Sequence, residues 1–232
     1  MPRHLHLFGG FELTDADAPV VVPAAVEHLV AWLALRGRTQ RVTAAAMLWP
    51  DHPEVRAMAN LRTAVWRLQC ATPGLVVSHR GWLALADDVE VDVAEFERAA
   101  RSELGDDPAA RHDAAISEGD LLIGWCDDWL VVDRERLRQL RLNLLEERAA
   151  SLIERGQFGL ALEAALVALR ADSLRESAHR AVIRVHLAAG NRADAYHAYE
   201  SCRATLANEL GVRPSQEICE MVSELTSRRH AS

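Results

Sequence analysis

Residues 53–69 carry side chains that could read DNA from one face of a helix. Leu61, Val65 and Leu68 recur at the spacing of a buried helical stripe. A second, polar stripe lies away from it and consists of Arg56, Asn60, Thr63 and Arg67. Guanidinium groups suit guanine edges and phosphates, and an Asn amide suits adenine. The spacing therefore predicts a recognition helix, although a solvated surface helix also carries Arg and Thr, and that interpretation stays open here.

A helix that reads a groove must be held in place by other elements, and residues 1–90 supply candidates for them. Apolar residues that alternate around Gly9-Gly10 predict short strands interrupted by a turn. Residues 26–33 predict a helix, and Thr43 is expected to be the N-cap of a second, shorter one. Apolar runs on both sides of His79-Arg80-Gly81 predict a β-hairpin with a basic tip. Together these elements form a winged helix-turn-helix, whose third helix enters the major groove while the hairpin tip reaches phosphate or the minor groove.

Residues 91–232 predict an all-α domain of helical repeats. Gly156 and Gly190 lie 34 residues apart, as do Ala161 and Ala195. A turn glycine and a small residue at a period of 34 are typical of tetratricopeptide repeats, in which small side chains let paired helices approach closely. Other helices are predicted over residues 92–104, 108–117, 134–155 and 215–227. The expected fold is therefore mainly α with a small β part, in two domains, 1–90 and 91–232.

The distribution of charge supports two domains with different roles. The net charge of the 232 residues is −8, and every one of the 26 basic residues is Arg. Residues 1–86 carry 8 Arg against 6 Asp and Glu, whereas residues 87–232 carry 18 against 28. Only the first part can approach phosphate without repulsion. The scattered cysteines, and the lack of a signal peptide or membrane span in the sequence, predict a cytoplasmic protein.

The sequence predicts neither an enzyme nor a metal or cofactor site. It contains no nucleophile elbow, phosphate-binding loop or dinucleotide fingerprint, and its ten histidines form no HExxH motif. The aromatic residues are expected to pack rather than to bind ligands. Trp66, beside the polar stripe, is expected to pack, with stacking on DNA as the alternative. Trp125 and Trp129 are expected to be buried at the joint between domains, with a partner surface as the alternative. Tyr196 and Tyr199 are expected to pack within the second repeat.

Several motifs resemble one bacterial family along nearly the whole chain. In the first half they are LFGGFEL (7–13), LWPD (48–51) and ANLRTA (59–64); in the second they include GDLL (119–122), RERL (134–137) and ELGVRP (209–214). This order is similar to that of the Streptomyces antibiotic regulatory proteins. The resemblance implies an OmpR-type winged helix, with no preceding receiver domain, followed by a bacterial transcriptional activator domain.

The resemblance implies a transcription activator of a specialised-metabolite gene cluster, which binds direct repeats in promoter DNA as a homodimer and contacts RNA polymerase. The expected DNA-contacting residues are Asn60, Arg62, Thr63, Arg67, Arg80 and Arg56. The loop at Trp49–Arg56 corresponds to the segment that touches RNA polymerase in OmpR-like activators. The alternative hypothesis is a protein–protein regulatory module whose DNA binding is weak or depends on a partner. A small-molecule sensor that uses the repeat groove is a third, for which the sequence offers no convergent polar cluster.

Overall fold

The computed structural model describes residues 3–16, 18–104 and 119–227, with side chains up to residue 223. It consists of two compact units, Met1–Arg138 and Gln139–Ser232. It is mainly α with a small β part, as predicted. The predicted domain boundary after residue 90 stays a prediction; the first compact unit continues beyond it. The predicted helix over residues 108–117 lies outside the described residues.

The elements of the first unit alternate between short strands and helices. In chain order they are β1 (Arg3–His6), β2 (Glu12–Asp15), β3 (Ala18–Pro19), α1 (Ala24–Arg36), β4 (Thr39–Gln40), α2 (Arg41–Leu48), α3 (Glu54–Ala71), β5 (Val76–His79), β6 (Trp82–Leu85), β7 (Val89–Val91) and α4 (Asp92–Glu103). A short 3-10 helix, Asp128–Leu130, leads into α5 (Val131–Glu154), within which the boundary between the units falls.

The strands form two small sheets. The first has the order β3-β2-β1-β7, in which β1 pairs antiparallel with β2 and parallel with β7. The second has the order β4-β6-β5 and is antiparallel throughout. The strands flanking Gly9-Gly10 are confirmed. The sequence did not predict β7, because a three-residue strand with a distant parallel partner leaves no local periodicity.

The helices α1, α2 and α3 are those that the sequence predicts, with one corrected start. In α1, the predicted face of Val26, Leu29, Val30 and Leu33 is fully buried. The predicted N-cap Thr43 is wrong, because α2 begins at Arg41 with Gln40 as its N-cap. Pairing of β4 with β6 holds the chain extended up to Gln40, so the helix starts directly at the end of that strand.

A segment between residues 119 and 130 completes the first unit. The amide of Leu122 donates to the Leu7 carbonyl at 2.8 Å, and the amide of Gly9 donates to the Asp120 carbonyl at 2.9 Å. At the start of α5, the guanidinium of Arg134 donates to the carbonyls of Leu121, Leu122 and Trp125 at 2.6–2.9 Å. One planar side chain thus fixes three backbone acceptors of an otherwise irregular segment.

Two tryptophans of this segment pack on α1. Trp129 is buried and meets Trp32 edge-on, with ring centroids 5.2 Å apart. Trp125 is half-buried and stacks on His28 at 3.9 Å, and His28 Nε2 lies 3.1 Å from an Asp127 carboxylate oxygen. Trp129 is thus buried and Trp125 half-buried within the first unit, and their predicted position at a joint between domains stays a prediction.

The second unit is a stack of antiparallel helices. After the C-terminal part of α5 come α6 (Phe158–Ala171), α7 (Glu176–Ala188), α8 (Arg192–Leu210) and α9 (Gln216–Ser227). Gly156 and Gly190 precede α6 and α8 at φ 72° and 76°, a left-handed conformation that suits glycine. Ala161 and Ala195 are fully buried at equivalent positions of α6 and α8. The repeat of 34 residues is therefore confirmed.

The core at the end of the second unit joins α7, α8 and α9. Its buried members are Ile183, Cys202, Leu206, Ile218 and Val222, and Tyr199 packs against them. Burial raises the pKa of the Cys202 thiol to about 11. The pKa of the Tyr199 hydroxyl is also raised, mainly by burial and to a smaller extent by its contact with the Cys219 sulfur. The predicted packing role of Tyr199 is confirmed.

Candidate nucleic-acid interface

The predicted recognition helix is α3, and its inner face is built from small and branched residues. Ala57, Leu61, Ala64 and Leu68 are buried. Val65, which the sequence pattern places on this face, is only half-buried, so the face is centred closer to Ala64 than predicted. Ala57 and Ala64 have short side chains, which let α3 pack closely on α1 and α2.

The arginines of α3 point outward. Arg56, Arg62 and Arg67 are exposed, and within the described residues no carboxylate forms an ion pair with any of them. Their guanidiniums are therefore able to meet an external anion without first breaking an internal contact. This condition is necessary for reading phosphates or guanine edges.

The two small polar residues of α3 differ from each other. Thr63 is exposed, and its hydroxyl donates to the Ala59 carbonyl at 3.1 Å, so its oxygen can still accept a hydrogen bond from a ligand. Asn60 is half-buried at the edge of the outer face. The short Asn60 side chain therefore extends less far from the helix than the arginines of α3 do.

Trp66 is the outermost large residue of α3, and the prediction that it packs is wrong. Its exposure is 65%. Trp66 is two residues from both Ala64 and Leu68, and a two-residue step turns a helix by about 200°. Since Ala64 and Leu68 are buried, the indole points directly away from the core.

The hairpin of β5 and β6 presents the predicted basic tip. Arg80 and Gly81 have φ values of 47° and 83°, which is the pattern of a two-residue type I′ turn. Such a turn matches the twist of the strands, and Gly81 takes one of its two positive-φ positions without strain. Arg80 is exposed and forms no ion pair with any described residue.

Two further cations, which the sequence pattern did not predict as site residues, lie at the hairpin. The Arg38 guanidinium lies over the Trp82 ring, 4.8 Å from its centroid. Arg41 donates to the Ser78 hydroxyl at 3.0 Å, and its backbone amide donates to the Gly81 carbonyl. The signal available was the pair of arginines, three residues apart, that flanks the two-residue strand β4. The wing therefore carries three arginines rather than one.

Gln69 links α3 to the hairpin. Its side-chain amide donates to the Val76 carbonyl at 2.9 Å, and its carbonyl oxygen accepts from the Gly74 amide at 3.2 Å. The end of α3 and the segment that leads into the β5–β6 hairpin are thus connected through one side chain. This contact sets the position of the wing cations relative to the arginines of α3.

The second unit contains a separate cavity of about 310 Å³. Its polar lining includes His179, His186, His197 and Asp194, and its apolar side includes Leu166 and Val182. His179 is buried and its Nε2 lies 2.9 Å from the Ser173 carbonyl oxygen. Despite this concentration of imidazoles, no group of three or more His, Cys, Asp or Glu side chains within the described residues has an arrangement that could hold a metal ion. The helices of the described residues also include none with the length and apolar character that crossing a bilayer requires.

Comparison with known proteins identifies relatives along the chain. The bacterial transcriptional activator domain matches residues 91–226. Regulatory protein AfsR of Streptomyces coelicolor is 31% identical over 209 residues, which are 83% of this chain and 21% of AfsR. Regulatory protein DnrI of Streptomyces peucetius is 29% identical over 196 residues, which are 74% of this chain and 71% of DnrI. The chain thus spans about a fifth of the length of AfsR.

A solved structure shares the fold. Mycobacterium tuberculosis EmbR, solved in complex with a low-affinity phosphopeptide, matches 98% of this chain and 65% of its own with a TM-score of 0.78. The sequence identity is 17%, so this likeness concerns the fold. The resemblance to the Streptomyces antibiotic regulatory proteins that the motifs indicate is borne out by the domain match and by these relatives.

Proposed function

Because the chain belongs to the bacterial transcriptional activator domain family, we propose that it activates transcription by binding promoter DNA through α3 and the wing. The single observation that carries this proposal is the set of unpaired, exposed arginines on α3. In a chain of net charge −8, cations that no described carboxylate neutralises are available to an anionic partner outside the protein.

The proposed contact residues fall into two groups, those that contact base edges and those that contact the DNA backbone. Arg62 and Arg67 are the candidates for guanine O6 and N7, with Thr63 between them as a further polar contact. The candidates for contact with phosphates or with a minor groove are Arg56, at the start of α3, and the arginines at the hairpin, Arg38, Arg41 and Arg80. Asn60 is a candidate for an adenine at the edge of the contact.

The finer assignments rest on the family. By analogy the target is a direct repeat near the promoter of a specialised-metabolite gene cluster, with two protomers on one face of the duplex if the repeats lie about 10 bp apart. The helical-repeat unit and the loop Trp49–Arg56 are proposed to contact RNA polymerase. In that loop Trp49 is half-buried, whereas Asp51 and His52 are exposed and accessible to a protein partner.

A second candidate function is a protein–protein regulatory module that binds DNA only with a partner. Residues 87–232 contain 28 acidic and 18 basic side chains, and this net negative charge favours the second candidate because it opposes the approach of a duplex. The two candidates differ in whether the isolated chain binds DNA.

Footprinting on the DNA upstream of neighbouring genes, with and without RNA polymerase, tests the proposal. We expect the isolated protein to protect a repeated site, and the variant R56A/R62A/R67A to lose this protection at equal concentration. The matched control is R155A, which removes an exposed arginine of the second unit. Protection that appears only with polymerase favours the partner-dependent module, and no protection under either condition contradicts DNA binding.

A further inference from the structure

The most exposed large aromatic side chain of the described residues lies where the proposed interface would meet DNA. Trp66 is 65% exposed, whereas Trp32 and Trp129 are buried at 4% and 8%. Exposure of a large apolar side chain to water is unfavourable, so tryptophan on a surface is enriched where a partner covers it. The position of Trp66, opposite the buried face, puts the indole at the centre of the outer face of α3.

No described group of the protein itself covers this indole. Other tryptophans have an aromatic or cationic partner: Trp125 contacts His28, Trp32 contacts Trp129, and Trp82 contacts Arg38. Within the described residues, no ring or guanidinium contacts Trp66. Arg62 and Thr63 lie one turn before it on the same side of the helix. The apolar centre is therefore flanked by groups that bind DNA, so any duplex held by those groups meets the indole too.

The major groove offers one apolar group that an indole can cover. Each base edge presents hydrogen-bond donors and acceptors, and thymine alone adds a C5-methyl group. The Trp66 indole, which lies beside arginines, therefore complements a thymine next to the guanines or phosphates that those arginines would contact. A hydrophobic protein surface would complement the indole but not the nearby arginines Arg62 and Arg67.

We propose that Trp66 is a specificity-determining residue that packs against a thymine methyl group in the major groove. This inference rests on the proposed function, because it assigns a role within the same DNA interface. It adds to the polar contacts of α3 a preference for thymine at one position of each half-site. The indole then contributes to affinity only when the methyl group is present.

Replacement of thymine by deoxyuridine tests this role, since it removes the methyl group and keeps the base pair. The probe is the duplex found by footprinting, with its thymines replaced one at a time. For the wild-type full-length chain we expect one replacement per half-site to weaken binding about fourfold, the value of one buried carbon. For W66A we expect weaker binding to the thymine duplex and the same affinity for the two duplexes at that position.

Controls separate the failure of this inference from the failure of the proposed function. L160A removes an exposed leucine from α6 and should retain the fourfold discrimination. Equal wild-type affinity for every thymine and deoxyuridine duplex overturns the role of Trp66 and leaves DNA binding intact. Discrimination that persists in W66A overturns it as well, because another residue then reads the methyl group. A wild-type chain that binds neither duplex overturns both proposals.

Discussion

At the scale of single residues, the decisive property of α3 is that its arginines have no ion-pair partner among the described residues. Some arginines elsewhere in the chain are engaged: Arg175, for example, contacts Glu146 at 2.7 Å and Gln139 at 2.5 Å. Arg62 and Arg67 lack such contacts with described residues. A guanidinium that must first leave a carboxylate would contribute less to binding an external phosphate.

The salt dependence of DNA binding checks this interpretation of the arginines. If about five phosphates are neutralised, the logarithm of the binding constant should fall with the logarithm of salt concentration at a slope near −4.5. We expect R67A either to make the slope less steep by about 0.9 or, if Arg67 contacts a base, to keep the slope and relax sequence preference.

The matched control for R67A is again R155A, which leaves the proposed interface intact. It should bind with the slope and the sequence preference of the wild type. Binding titrations over a range of salt concentrations give the slope, and a wild-type slope near zero would contradict direct contact with phosphates.

At the scale of elements, α1 connects the proposed interface to the start of α5. Arg36, the last residue of α1, donates to an Asp133 carboxylate oxygen at 2.7 Å and lies over Trp32 at 5.3 Å. Asp133 is 2% exposed, and its second oxygen has no partner in the described part of the chain. This buried carboxylate therefore depends on Arg36 for its compensation.

We expect R36A to lower the free energy of unfolding by about 2–3 kcal/mol. Loss of one partner of a fully buried ion pair costs about 3–5 kcal/mol, and we expect less here because Arg36 is one-third exposed. Urea denaturation followed by circular dichroism measures the change.

Two further variants show whether the effect of R36A comes from the Asp133 carboxylate that is left buried without its ion-pair partner. R36A/D133N should recover part of the loss, because it removes the buried charge, and R38A should change the stability by less than R36A. If R36A and R36A/D133N are equally destabilised, the ion pair is not the cause.

At the scale of the whole molecule, the first unit is larger than the elements that are proposed to bind DNA. Leu121, Leu122 and Leu130 are buried within it, and the segment that carries them supplies backbone partners to Leu7 and Gly9. Phe96 of α4 also meets Phe8 edge-on at 5.5 Å. A winged helix cut off at residue 90 would expose this apolar surface and leave the Gly9 amide and the Leu7 carbonyl without these partners.

A fragment comparison tests this dependence. We expect residues 1–138 to unfold cooperatively in urea and residues 1–90 to unfold at a lower concentration or without a cooperative transition. The reason is the loss of buried leucine and tryptophan area on the first sheet and α1. Equal midpoints for the two fragments would show that the segment adds no stability to the winged helix.

Sequence patterns determined the elements whose information is local. The period of 34 residues located the repeat glycines and alanines, apolar spacing located α1 and α3, and the residues around Arg80 located the hairpin. Each of these signals comes from a helix face or a turn that residues close in sequence create by themselves. The unpaired state of the predicted arginines is consistent with their expected role in DNA contact, which itself stays a prediction.

Only the tertiary structure decided the features that depend on distant partners. The exposure of Trp66 depends on which residues of α3 fill the core. The grouping of arginines at the hairpin depends on the pairing of β4 with β6, which brings Arg38 to Trp82 and Arg41 to Ser78. The partnership of Arg36 with Asp133 spans 97 residues. Long-range packing selects among helix faces and strand pairings that local propensity leaves open, so the sequence alone does not determine these features.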